Sequence, residues 1–151
     1  MESSGLSFFV EDVNFELADE QLLSMWLLNL ADVHQNKIDQ VNYIFCSDPY
    51  LLKLNQEYLQ HNYFTDILTF PSSPTQSNGL AADIYISIDR VKDNASTHNT
   101  SFDDELHRVM SHGLLHLIGF SDHEPGEKEQ MRIQEDKALE LRPGELFHVE
   151  Q

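Results

Sequence analysis

The chain has 151 residues, of which 40% are hydrophobic and 23% charged, as expected for one globular domain with a substantial core. Its 26 acidic and 9 basic residues give a formal net charge of −17, which by itself argues against nucleic-acid binding because such a surface repels polyanions. No stretch approaches the roughly 18 apolar residues of a membrane span, and the N-terminus lacks the basic start of a signal peptide. The single cysteine, Cys46, excludes an intramolecular disulfide. We therefore expect a cytoplasmic protein.

Hydrophobic periodicity predicts alternating strands and helices in the first half of the chain and mainly helices in the second. In chain order the predicted elements are a strand at residues 6–10, a helix at 19–35, a strand at 41–45, a helix at 48–58, strands at 66–70 and 83–88, and helices at 102–118 and 127–141. Residues 71–79 are rich in Pro and Ser, which indicates a surface loop.

Turn and capping residues support these boundaries. Pro49 fits the first turn of its helix, and Ser101 followed by Asp104 resembles a capping box. Gly119 can close the helix at 102–118. The order of elements predicts an α+β fold in which one domain, residues 1–151, has a single mixed sheet of about four strands with helices packed on it.

The most specific pattern in the chain is a pair of histidines, His112 and His116, on the helix predicted at 102–118. Four residues advance a helix by about 400°, so both imidazoles project from nearly the same direction, about one turn apart. The reversal at Gly119 allows Asp122 or His123 to supply a third ligand. Three protein ligands leave one position for water, so the pattern predicts a catalytic site for one Zn²⁺ on a central helix and the turn that follows it.

The residue after the first histidine separates two classes of zinc enzyme. In His-Glu-x-x-His metallopeptidases this position holds the glutamate that acts as general base. Here it is Gly113, which cannot accept a proton. A zinc metallopeptidase is therefore the less favoured of the enzymatic interpretations.

These residues resemble the YbeY endoribonucleases, a family involved in ribosomal RNA maturation. The family signature is approximately His-Gly-x-Leu-His-Leu-x-Gly-Tyr-Asp-His, and the chain matches it from His112 to Gly119, with Phe120 in the aromatic position. Further similar blocks lie at residues 54–58, 65–71 and 83–87. The resemblance covers residues 40–141.

The resemblance implies a zinc-dependent endoribonuclease, specific for single strands, that acts in small-subunit ribosomal RNA processing and ribosome quality control. The implied partners are ribosomal RNA and either small-subunit ribosomal proteins or an assembly GTPase, with neither DNA nor a membrane. The alternative from another class is a non-catalytic, metal-stabilised ribosome-assembly factor. An acidic surface favours that alternative because it suits basic ribosomal proteins better than bare RNA.

The chain departs from the family at two positions. The family's third histidine lies six residues after the second, which is Asp122 here, and His123 is one residue late. Both side chains can bind zinc, and the spacing slightly favours Asp122. The family also carries an arginine after the tyrosine of its Leu-Asn-x-x-Tyr block, where this chain has Leu59, which cannot bind a phosphate.

The catalytic base is not identified by the sequence, and Asp66 and His61 are the candidates. Four side chains can be considered as replacements for the family arginine, although an exposed solubilising role is the favoured interpretation for each: His61, Lys53, Arg90 and Arg108. The charged run at residues 127–135 is interpreted as a solvated helix face.

Overall fold

The computed structural model describes residues 5–72 and 79–147, and their strands form one mixed sheet in the order β1-β2-β4-β3. The strands are β1 (Leu6–Val10), β2 (Ile38–Cys46), β3 (Ile67–Pro71) and β4 (Leu80–Ser87). β2 pairs in parallel with β1 and β4, whereas β3 is antiparallel to β4. The predicted α+β fold with a mixed four-stranded sheet is confirmed. Residues 73–78 of the predicted loop lie outside the described residues.

The helices are α1 (Glu20–Val33), α2 (Asp48–Leu59), α3 (Ile88–Thr97), α4 (Phe102–Ile118) and α5 (Pro125–Glu140), with a short 3-10 turn at Gly144–Phe147. Four were predicted, but α3 was missed. The sequence predicted a strand through Ile88, whereas the Ser87 hydroxyl accepts a hydrogen bond from the Arg90 amide, which caps a helix starting at Ile88. Ile88, Val91 and Ala95 are buried at helical spacing, which is the signal that was available.

The bounds of α4 are those predicted, because both ends are fixed by local chemistry. The Ser101 hydroxyl accepts a hydrogen bond of 3.0 Å from the Asp104 amide. At the other end Gly119 has φ 132°, a conformation that side chains disfavour. Immediately beyond this cap lies the segment that carries Asp122 and His123.

The helix α4 packs very closely on the sheet at Gly113. A Cβ at this position would lie 2.9 Å from Ile67 Cδ1 and 3.2 Å from Ile84 Cδ1. One turn away, the Tyr43 hydroxyl donates a 2.9 Å hydrogen bond to the Met110 carbonyl. Gly113 therefore faces the core, and these two contacts fix the position of α4 on the sheet.

The helices α1 and α5 pack against α4 and extend the core. Trp26 is 1% exposed, and its indole donates a hydrogen bond of 2.8 Å to the Ala138 carbonyl. This contact fastens α1 to the end of α5. Among residues 5–72 and 79–147, the helices are all too short or too polar to cross a bilayer.

Candidate active site

A cavity of about 600 Å³ opens beside α4, β3 and the connection between α2 and β3. The structure brings all six predicted site residues to its lining: His61, Asp66, His112, His116, Asp122 and His123. These residues come from two distant parts of the chain. One is the α2–β3 connection, and the other is α4 with the turn that follows it; both line the cavity. The roles of these residues as ligands or catalytic groups stay predictions.

His112 is held between two carboxylates. Its Nδ1 atom lies 2.6 Å from Glu135 Oε2 on α5, and its Nε2 atom lies 3.3 Å from Asp122 Oδ2. Burial on its own lowers the pKa of His112, but the hydrogen bond and charge of Glu135, together with the charges of Asp122 and Asp66, raise it above its usual value. The site is therefore an anionic environment that favours a positive charge at this imidazole.

His116 is oriented by a backbone group. Its Nδ1 atom lies 3.2 Å from the Phe120 carbonyl oxygen. A carbonyl can only accept, so Nδ1 carries the hydrogen in this contact, and in the neutral imidazole Nε2 is then the nitrogen with the lone pair. Hydrogen bonding of the other ring nitrogen is the usual arrangement around a metal-ligating histidine.

Two of the predicted donors are spaced as ligands of one zinc ion would be. Two ligands of a tetrahedral zinc, each about 2.0–2.1 Å from the metal, are about 3.3 Å apart. His112 Nε2 and Asp122 Oδ2 have this separation, 3.3 Å. Within the described parts of the chain, however, there is no group of three His, Cys, Asp or Glu side chains already converged on one point. The agreement with zinc geometry therefore rests on the pair of His112 and Asp122.

Glu135 is a site residue that sequence reasoning missed. The charged run at 127–135 was interpreted as solvated, which is wrong at Glu135, because this side chain is only 8% exposed. Met131, Glu135 and Ala138 are the buried residues of α5, so Glu135 occupies a place in the inward-facing stripe. A carboxylate in that stripe was the available signal, since buried carboxylates require partners.

Two cations interpreted as exposed are ion-paired instead. Arg108 Nη1 lies 2.9 Å from Glu135 Oε1, and its Nη2 lies 2.6 Å from Asp136 Oδ1. Arg90 Nη2 lies 2.7 Å from Asp48 Oδ2. The solubilising interpretation is wrong for both, whereas Lys53 is exposed as predicted. Because Arg108 lines the cavity with both ends of its guanidinium paired, it positions Glu135.

Asp66 lines the cavity and lies immediately before β3. Its carboxylate accepts a 3.2 Å hydrogen bond from Asn94 Nδ2, and its carbonyl accepts one of 3.0 Å from the Ser87 amide. Burial raises the pKa of this carboxyl above its ordinary value, although the neighbouring His112 opposes the shift. Asp66 is thus a carboxyl that holds its proton more strongly than an exposed one.

The family model described as endoribonuclease YbeY matches residues 10–142. The chain belongs to the endoribonuclease YbeY family. A YbeY relative from Cytophaga hutchinsonii is 46% identical over 142 residues, which cover 94% of this chain and 99% of the relative. Another, from Christiangramia forsetii, is 43% identical over the full length of both chains. A solution structure of a Thermotoga maritima protein has a TM-score of 0.63 at 28% identity, covering 93% of this chain and 90% of that one.

The resemblance to YbeY predicted from the sequence is confirmed, and so is the hydrolase class that it implied. The departure at Leu59 falls within the site, because this side chain lines the cavity. This YbeY protein therefore presents an apolar side chain at the position where the resemblance implied an arginine.

Proposed function

We propose that this YbeY protein is a zinc-dependent endoribonuclease that cleaves single-stranded RNA in the processing and quality control of small ribosomal subunits. The observation that carries the proposal is the 3.3 Å approach of His112 Nε2 to Asp122 Oδ2 inside the cavity. The relatives named endoribonuclease YbeY supply the reaction class.

In this proposal His112, His116 and Asp122 hold the zinc ion. Zinc supplies Lewis-acid chemistry for phosphodiester hydrolysis. Glu135 orients the imidazole of His112 through its Nδ1 atom, and the Phe120 carbonyl orients His116 in the same way. Asp66 serves as the proton-transfer group, since a partly buried carboxyl with a raised pKa can hold and release a proton closer to neutral pH.

The metallopeptidase interpretation loses support from the direction in which Gly113 faces. The nearest atoms to a Cβ there belong to Ile67 and Ile84 of the sheet, so a side chain at this position would enter the core instead of the cavity. The glutamate of a His-Glu-x-x-His peptidase has no equivalent here.

The non-catalytic assembly factor stays as a second candidate because Leu59 lines the cavity and the net charge is −17. Either role is set in the cytoplasm, with ribosomal RNA and small-subunit ribosomal proteins or an assembly GTPase as partners. The two candidates differ in whether RNA is cut.

The deciding experiment measures zinc content and RNA cleavage in the same preparation. Purified protein is analysed for bound metal and incubated with an end-labelled single-stranded RNA and with the matching duplex, with and without chelator. We expect cleavage of the single strand that chelation and His116→Ala both abolish. Cleavage that survives chelation, or zinc-loaded protein that cuts no RNA, contradicts the proposal; the second result favours the assembly factor.

A further inference from the structure

Exposed apolar side chains are concentrated where α2 ends and the chain crosses to β3. Tyr58 is 66% exposed, Leu59 39%, Tyr63 57% and Phe64 51%. Leu59 and Tyr63 line the cavity that contains His112, whereas Tyr58 and Phe64 do not. In a chain with a net charge of −17, exposed apolar side chains beside the cavity indicate a surface that binds a ligand.

Two rings of this stretch, His61 and Tyr63, form what we call the aromatic rim. Their centroids are 5.1 Å apart with an interplanar angle of 19°, so the rings are stacked. The Tyr63 hydroxyl lies 3.0 Å from His61 Nδ1, which fixes the two rings to each other. Both side chains line the cavity, and both are exposed.

The aromatic rim is anchored from below by a buried residue of α2. Asn55 is 0% exposed, and its side-chain amide donates a hydrogen bond of 2.9 Å to the Tyr63 carbonyl. Its own backbone carbonyl accepts one of 3.0 Å from the His61 amide. A single buried side chain and its backbone thus fix both rim residues, so the stacked pair is preorganised.

The two stacked rings of the aromatic rim suit a flat, uncharged group of a ligand better than a phosphate. Four carboxylates line the cavity, namely Asp66, Glu105, Asp122 and Glu135, together with two arginines, Arg108 and Arg132. Arg108 has both ends of its guanidinium paired with carboxylates. A nucleobase, by contrast, offers an uncharged π face that stacks on aromatic side chains irrespective of the local charge.

We infer that His61 and Tyr63 form a stacking site for one unpaired nucleobase of an RNA strand that enters the cavity. The inference rests on the proposed function and deepens it. In a duplex both faces of each base are covered by its neighbours, so only an unpaired base can use the rim. Base stacking at the rim then supplies a physical source of single-strand specificity that does not depend on the family arginine, replaced here by Leu59.

The test uses the full-length, zinc-loaded protein and a short single-stranded RNA in which one adenine is replaced by the fluorescent base 2-aminopurine. Binding is measured in the cold, and a denaturing gel confirms that the RNA is still intact. We expect Tyr63→Ala to weaken binding at least about fivefold, the lower end of what stacking one base on an aromatic ring contributes. Quenching of 2-aminopurine is lost in the same variant.

Two further variants keep the result interpretable. Tyr63→Phe retains the ring and is expected to bind within about twofold of the unaltered protein. Tyr58→Ala removes a ring that is at least as exposed as Tyr63 and that contacts Phe70 outside the cavity lining, and it is expected to change neither affinity nor quenching. Binding plotted against salt should give parallel lines for the unaltered and Tyr63→Ala proteins, because the variant removes no phosphate contact.

Unchanged affinity and quenching in Tyr63→Ala would overturn the inference, as would an equal loss in Tyr58→Ala or equal binding of the duplex. Binding only of a basic peptide, with no binding of the RNA, would also overturn it. If RNA is cut normally and Tyr63→Ala has no effect on KM, the stacking site fails while the nuclease stands. If no RNA is cut but the variant still loses quenching, the nuclease fails while the stacking site stands.

Discussion

Glu135 on α5 contacts His112 on α4 through its Oε2 atom, which lies 2.6 Å from the Nδ1 atom of the imidazole. The other oxygen of the same carboxylate is 2.9 Å from Arg108 Nη1. The proposed zinc ligand is therefore held by a carboxylate that is itself held by a guanidinium. The precision of the site depends on contacts between two helices.

Substitution Glu135→Gln tests this support. The amide keeps the shape of the side chain but removes the charge, and we expect zinc affinity to fall by about 10- to 100-fold, as is usual when such a partner is lost. Competition with a chromophoric chelator measures the affinity. The matched control is Asp136→Asn, which also faces Arg108 at 2.6 Å but makes no contact with His112. Equal losses of affinity in the two variants would contradict the assignment.

Alanine substitutions at Asp122 and His123 decide the third ligand. Asp122 Oδ2 is already 3.3 Å from His112 Nε2, so Asp122→Ala should abolish stoichiometric zinc binding. We expect His123→Ala to retain about one zinc ion per chain. Elemental analysis of both variants after dialysis gives the answer, and zinc that is lost only from His123→Ala would show that the turn rearranges to present the histidine.

Substitution Gly113→Glu tests whether α4 can accept the metallopeptidase motif. The new side chain would point at Ile67 and Ile84 and bury an unpaired carboxylate. We expect the free energy of unfolding to fall by at least about 3 kcal/mol, without any gain of peptidase activity. Urea denaturation provides the measurement. Gly126→Glu is the control, since a Cβ at that exposed position meets nothing within 4 Å; comparable losses of stability in both would refute the packing argument.

Cys46 should be chemically inert in the folded protein. It is fully buried in β2, and burial, followed by the charges of Asp12, Asp48 and neighbouring acids, raises the pKa of its thiol to about 12. Since the thiolate is the reactive form, alkylation by iodoacetamide at pH 8 should be at least about 100-fold slower than in urea. Mass spectrometry at timed intervals follows the reaction. Rapid stoichiometric labelling of the native protein would be inconsistent with this environment.

The elements that sequence predicted best are those whose ends are set by nearby residues. The helix α4 is an example, because Ser101 and Gly119 lie directly at its ends. The helix α3 was missed because its segment is mostly polar and only Ile88, Val91 and Ala95 are turned inward. Their helical spacing was a usable signal, but the strand alternation of Ile84 and Ile86 was extended through Ile88 and hid the start of the helix.

The same distinction applies to the site. His112 and His116 were predicted as a pair because their geometry is local to one helix turn. The pairing of Glu135 with His112 joins residues 23 positions apart on different helices, and no local pattern encodes it. The stacking of His61 on Tyr63 depends on Asn55, whose two hydrogen bonds are visible only in the folded chain.

Asn55 also fixes the positions of the two rim residues relative to α2. Because the amide and the carbonyl of one buried residue bind both His61 and Tyr63, the place of a base on the rim is determined by the protein and not by the RNA. If RNA is cut as proposed, a base stacked on the rim would set the distance along the strand to the bond that is cut. The phosphodiester presented for cutting would lie a constant number of nucleotides from the seated base, whatever the surrounding sequence.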